Sequence, residues 1–91
     1  MKLELFVRDW CPWCVKARAL LDRLGYHYLV RDIEVEPGSR EIMIALSGQE
    51  RVPTLKADAL VLPDFGPDEL LAFLHKNSIT PESSRLSDTP A

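Results

Sequence analysis

The chain reads as one α/β domain, a mixed four-stranded sheet flanked by helices in the order β-α-β-α-β-β-α. Three observations predict it. Short β-rich runs alternate with stretches of helical periodicity, the pattern of an α/β layer fold. Residues 2–33 read strand, helix, strand, which implies parallel neighbours joined by a right-handed crossover. Two further apolar runs then flank a two-residue turn, adding an antiparallel hairpin ahead of a last helix.

Each element has a local reason. Leu3, Leu5 and Val7 alternate with Lys2, Glu4 and Arg8 while Phe6 interrupts, so residues 2–7 form a largely buried strand. From Pro12 to Leu24, apolar Trp13, Ala17, Leu20, Leu21 and Leu24 recur at helical spacing, leaving Lys16, Arg18, Asp22 and Arg23 for solvent. Gly25 ends that helix as a left-handed cap. Tyr26 to Ile33 is β-rich and makes the second strand. Pro37-Gly38-Ser39 breaks the chain and opens a helix whose inward side is Ile42, Met43, Ala45 and Leu46, closed by Ser47-Gly48. Residues 52–57 and 60–62 are short strands around the turn Asp58-Ala59. Gly66-Pro67-Asp68-Glu69 starts the final helix, with proline at its first position and acids in its first turn, and Leu70, Leu71, Phe73 and Leu74 as its buried face. The domain thus spans residues 1–77. Beyond Asn77 the composition turns to Ser, Thr, Pro and Asp, which predicts a disordered tail over 78–91.

Ninety-one residues allow one domain with a modest core, and 46% hydrophobic against 27% charged residues is an ordinary globular balance. No window approaches the roughly 18 apolar residues of a membrane span, and Met1-Lys2-Leu3-Glu4 lacks signal-peptide architecture, so the cytoplasm is the expected compartment. A net charge of −3 with scattered basic residues argues against nucleic acid as a partner.

The chemistry concentrates in Trp10-Cys11-Pro12-Trp13-Cys14, which holds both cysteines of the chain directly after the first strand. At a helix N-terminus, free backbone N–H groups and the helix dipole favour the thiolate of Cys11, the form that attacks disulfides. Cys14, one helical turn on, is placed to attack the resulting mixed disulfide, release the substrate thiol and leave an intramolecular disulfide. A structural staple is a poor alternative, because so short a loop constrains the unfolded chain little. Zinc would need two more ligands, and His27 and His75 lack ligand-pair spacing, so no metal is expected. Both histidines are read as structural. Pro12 suits the first helical turn, since its missing N–H would go unpaired there.

With these residues in view, the chain over about residues 2–77 resembles the glutaredoxin family of the thioredoxin superfamily. The likeness rests on residues 8–14 after strand one, on Val52-Pro53 opening strand three, and on residues 65–70 entering the last helix. It implies a thioredoxin-like fold, a monomer, and glutathione as co-substrate. It also implies that Pro53 is a cis-proline packed against the cysteines; from the residues alone a trans-proline at a strand start would be the default. In this family glutathione is held at positions that correspond here to Arg8, Trp13, Val52, Asp68 and Glu69. Arg8 would also stabilise the Cys11 thiolate.

The function implied is dithiol thiol–disulfide oxidoreduction on protein disulfides or glutathione mixed disulfides. Two departures stand out: at most one glycine, Gly66, survives of the family's Gly-Gly before the acid pair, and Arg51 replaces the family's threonine before Val52. They move the chain toward redoxins that serve ribonucleotide reductase and are recharged by thioredoxin reductase. A further alternative is a non-enzymatic carrier in which two subunits share an iron–sulfur cluster through Cys11 and glutathione, which the stiffening of the loop by Pro12 disfavours. The partners expected are therefore glutathione or a disulfide reductase, and disulfide-containing proteins.

Overall fold

A computed structural model describes residues 1–86. It contains strands β1 (Leu3–Val7), β2 (Leu29–Asp32), β3 (Thr54–Ala57) and β4 (Leu60–Pro63), and helices α1 (Pro12–Arg23), α2 (Ser39–Ser47), α3 (Pro67–Lys76) and α4 (Pro81–Leu86). The strands form one sheet in the order β2-β1-β3-β4. β1 runs parallel to β2 and antiparallel to β3, and β3 runs antiparallel to β4. The mixed sheet and flanking helices expected from the sequence are present.

Register fixes which side chains share a face. Leu3, Leu5 and Val7 lie in the main core with Ala17, Leu20 and Leu21 of α1, Leu55 and Ala57 of β3, and Leu70 and Leu74 of α3. Phe6 points the other way, into a small cluster with Ile33, Met43 of α2 and Val52. Glu4 shares the Phe6 side because side chains alternate along a strand. It is 6% exposed, against the outward position its alternation suggested, and its carboxylate pairs with Arg31 at 2.8 Å and Lys56 at 3.5 Å. Its neighbours explain the burial: Lys56 lies directly opposite on β3, and Arg31 is reached from β2.

Several sequence expectations are corrected. β2 begins at Leu29, not Tyr26, because residues 25–28 are committed elsewhere. Gly25 adopts φ +85°, its N–H bonds to the Asp22 carbonyl, and the Tyr26 N–H bonds to that of Leu21, which closes α1 in a Schellman arrangement. Tyr26 and Tyr28 then donate their hydroxyls to the Ile79 carbonyl and the Asp22 carboxylate. On α2, Met43 is buried while Ile42, Ala45 and Leu46 are exposed, since the cluster it covers is only a few residues wide. Trp13, Leu24 and Leu71 are likewise exposed rather than inward, and Phe73 is partly buried.

The tail boundary also moves. Residues 78–86 are folded onto the domain rather than disordered: Ile79 is buried ahead of α4, and Ser84 is buried within it. Met1 donates its terminal ammonium to the Ser83 carbonyl at 2.7 Å, and the His27 N–H donates to Ser84 Oγ at 2.9 Å. Residues 87–91 of the expected tail lie outside the described residues. Among the described residues no helix is long and apolar enough to cross a membrane.

Candidate active site

The topology brings three segments to one edge of the sheet. β1 delivers Arg8 to Cys11 at its C-terminal end. Phe6 pairs with Thr54, so the residues just before antiparallel β3, Val52 and Pro53, arrive at the same edge. Thr54 pairs with Pro63, so β4 ends there too, handing the chain to Asp64, Phe65 and the start of α3.

Cys11 is the N-cap of α1, with extended backbone angles (φ −89°, ψ 112°), and Pro12 takes the first helical position. Its sulfur accepts the Cys14 N–H at 3.2 Å, the place an N-cap oxygen ordinarily occupies. An electron-rich sulfur therefore meets a backbone donor and the positive end of the helix. The sulfur also lies 3.9 Å from the Val52 carbonyl oxygen, to which the thiol donates. The Val52–Pro53 peptide bond is cis, as the resemblance implied.

The two cysteines are unbridged and differ in setting. Cys14 is 2% exposed; burial first, and then the Cys11 sulfur beside it, push its thiol up to about 12. Cys11, at 7% exposure, is recessed on the floor of an open groove of about 300 Å³ whose wall includes Arg8, Trp13, Arg51, Val52 and Asp64. The recess follows from its capping role, which turns the sulfur back over the first helical turn.

Arg8, Trp13 and Val52 thus share a groove with Cys11. Asp68 and Glu69 line an adjoining groove of about 370 Å³ with Phe65, Gly66 and Pro67, and the two grooves meet at Trp13 and Asp64. Pro53 is fully buried beneath the site rather than part of its wall. Glu69 is partly engaged, its Oε1 accepting the Gly66 N–H at 3.1 Å to cap α3. Gly66 itself sits against Trp13, where a Cβ would come within 3.4 Å of the indole. Arg8 lies 5.2 Å from the Trp10 ring centroid, and its Nε is buried without a hydrogen-bond partner among the described residues. Lys16 stands 4.5 Å from the Trp13 ring centroid.

The sequence reading missed Glu50 and Asp64 as groove residues and noted Arg51 only as a departure. Arg51 and Asp64 form an ion pair of 3.2 Å across the rim, and Glu50 pairs with Arg40. The available signal was adjacency, since Arg51 and Glu50 immediately precede Val52-Pro53. Among the described residues no cluster of three or more His, Cys, Asp or Glu side chains could hold a metal ion.

A four-stranded mixed sheet presenting an N-cap cysteine, a second cysteine one turn on, and a cis-proline beside them defines a thioredoxin-like redox protein. Residues 3–60 match the family model for glutaredoxin, and the chain belongs to the glutaredoxin family. It is 32% identical over 79 residues to glutaredoxin 3 of Escherichia coli strain K12, covering 87% of this chain and 93% of that one. Among solved structures, the glutaredoxin-like NrdH-redoxin of Escherichia coli superposes with a TM-score of 0.69 at 21% identity, covering 79% of this chain and 93% of that one. A buckwheat glutaredoxin–glutathione complex superposes with a TM-score of 0.63 at 20% identity, covering 84% and 69% respectively.

Proposed function

We propose that the protein is a dithiol thiol–disulfide oxidoreductase in which Cys11 attacks and Cys14 resolves. The observation that carries this is the asymmetry of the pair. Cys11 Sγ caps the helix at the floor of a groove, while Cys14 is buried with its thiol pushed up to about 12. Only one of the two is set up to attack an incoming disulfide.

In the first step the Cys11 thiolate attacks a substrate sulfur, forming a mixed disulfide and expelling a thiolate that takes up a proton. The negative sulfur beside Cys14 is then gone, which removes one of the causes holding that thiol protonated. Cys14 loses its proton and attacks Cys11 Sγ, the substrate's second thiolate leaves, and an internal disulfide remains. Two electrons and two protons have passed to the substrate.

Arg8, Trp13 and Val52 around Cys11, with Asp68 and Glu69 alongside, are the residues we assign to holding glutathione or the peptide of a protein substrate. Arg8 Nε, buried without an acceptor, suits an anionic group in the groove. Val52 lies next to a strand start, where main-chain hydrogen bonds to an extended peptide are geometrically natural. A cysteine pair that must be re-reduced after each turnover suits a reducing compartment, and the cytoplasm is the setting we assign it.

The test is replacement of each cysteine. Cys11→Ser should abolish disulfide reduction, whereas Cys14→Ser should retain reaction with glutathionylated substrates while losing protein disulfides. Equal activity of the two variants would end this reading. A second reading, recharge by thioredoxin reductase rather than glutathione, is supported by Arg51 and by the single glycine at Gly66. A glutaredoxin-like fold neighbour described as having a thioredoxin-like activity profile adds to it. Measuring turnover of the oxidised protein with each reductant separates the two.

A further inference from the structure

Asp64 is the only charged residue common to the two grooves, and it is not free: Arg51 Nη1 holds its Oδ2 at 3.2 Å. The backbone on both sides is fixed. Gln49 Oε1 accepts the Arg51 N–H at 2.6 Å and Thr54 Oγ1 donates to the Arg51 carbonyl at 2.8 Å, so the guanidinium stands over the rim from an anchored loop. Asp64 occupies a left-handed turn at φ 48° directly after β4. The pair therefore bridges the rim where a ligand running from Cys11 toward Asp68 and Glu69 must pass.

We infer that the Arg51–Asp64 pair is a charge latch that sets selectivity against small anionic disulfides. Resting on the oxidoreductase reading, this names the substrates the site rejects. A carboxylate on the ligand needs an unpaired cation; Arg51 is the most exposed one in the groove wall, and Asp64 both occupies it and repels the incoming anion. A neutral disulfide meets neither effect. A protein disulfide presents sulfur from a large surface with no obligatory carboxylate beside it, so the latch favours protein over glutathione-type substrates. Both partners are solvent-exposed, so the effect is graded and salt-sensitive rather than absolute.

The test compares the reduced protein's rate constants for oxidised glutathione, which is anionic, and bis(2-hydroxyethyl) disulfide, which is uncharged. Each reaction converts one disulfide to two thiols and the cysteine pair to its disulfide, and fluorescence of Trp10 and Trp13 follows it in stopped flow. Asp64→Asn keeps a residue that tolerates the left-handed turn while removing the charge. It should raise the glutathione-to-neutral ratio by about three- to tenfold at low salt, the gain fading by high salt. Glu82→Gln, an equal charge change on α4, should leave the ratio unchanged. In an Arg51→Gln background Asp64→Asn should give a clearly smaller gain, from the lost repulsion alone; a gain equal to that in wild type shows that the pairing with Arg51 plays no part and overturns the latch. Wild-type protein that reduces both disulfides while Asp64→Asn leaves the ratio unmoved overturns the latch by itself. Wild-type protein that reduces neither overturns the oxidoreductase reading and the latch with it.

Discussion

The backbone N–H of Cys14 reaches the sulfur of Cys11 at 3.2 Å, so the two cysteines are joined by a main-chain hydrogen bond before any disulfide exists. The bond orients Cys11 Sγ over the first turn of α1 and keeps the Cys14 side chain one turn below, inside the core. Its consequences for titration are direct. Burial and the neighbouring sulfur raise the Cys14 thiol from an ordinary 9.0 to about 12. Below pH 9 folded and unfolded chains both hold this proton; above it the unfolded chain releases the proton first, so stability must fall as pH rises from 9 toward 12. Urea titrations across this range should show a steeper loss for wild type than for Cys14→Ala, whose remaining slope reports the partly buried Tyr26 and Tyr28, their hydroxyls also raised by burial.

Glu4 gives the opposite sign at acid pH. Burial opposes its charge, but Arg31, aided by Lys2 and Lys56, outweighs that and holds the carboxyl below its usual 4.5. Its stabilising contribution is present above that value and is lost as pH falls through the lowered one. Glu4→Gln should lower stability by about 1–3 kcal/mol at neutral pH, because Arg31 and Lys56 lose their shared anion. The acid-side slope of the variant should be shallower, read by thermal melts between pH 3 and 7.

Gly66 tests the groove without testing the fold. Its φ of −103° suits any residue, and an added Cβ would make ordinary contact with Trp13 at 3.4 Å. Gly66→Ala should change stability by no more than about 0.5 kcal/mol. It narrows the space beside Asp68 and Glu69, so the reaction with glutathione mixed disulfides should slow more than that with a small neutral disulfide. Equal slowing of both would remove this groove from the binding site.

The ordered segment after α3 is open to a simple check. Ser84→Ala removes the acceptor of the His27 N–H and should cost about 1–2 kcal/mol by leaving that donor unpaired. Truncation after Ser78 also deletes buried Ile79 and should cost roughly 2 kcal/mol more. A truncated chain as stable as the whole would return this segment to the status of a tail.

Met43 is the apolar residue that α2 buries in the small cluster with Phe6 and Ile33. Fully buried against Phe6 and Ile33, it should cost about 2–5 kcal/mol on replacement by Ala. Ile42→Ser, on the exposed side of the same helix, should cost no more than about 0.5 kcal/mol. Chemical denaturation of the two variants separates the roles.

The order of strands and helices was readable because each depended on signals only a few residues long. Pro12 at the head of α1, Gly25 past its end and Pro67 at the start of α3 all act on their own turn of backbone. Errors gathered where such signals compete with distant contacts. Tyr26 and Tyr28 have strand propensity, yet the Schellman cap and bonds to Ile79 and Asp22 hold them outside β2. Residues 79–86 have a tail's composition, but the Met1 ammonium and the His27 N–H give their polar groups partners that no local pattern announces.

By itself the sequence determined the spacing of the cysteine pair, since placing Cys14 one turn after Cys11 behind a proline-led helix start is a property of consecutive residues. It also located Pro53, through the family likeness. Only the tertiary structure decided that Cys14 would be buried and Cys11 recessed, that Glu4 would be enclosed by Arg31 and Lys56, and that Arg51 and Asp64 would meet across the groove. Those outcomes depend on sheet register and on the convergence of three strand ends at one edge, where residues distant in the chain become neighbours through packing.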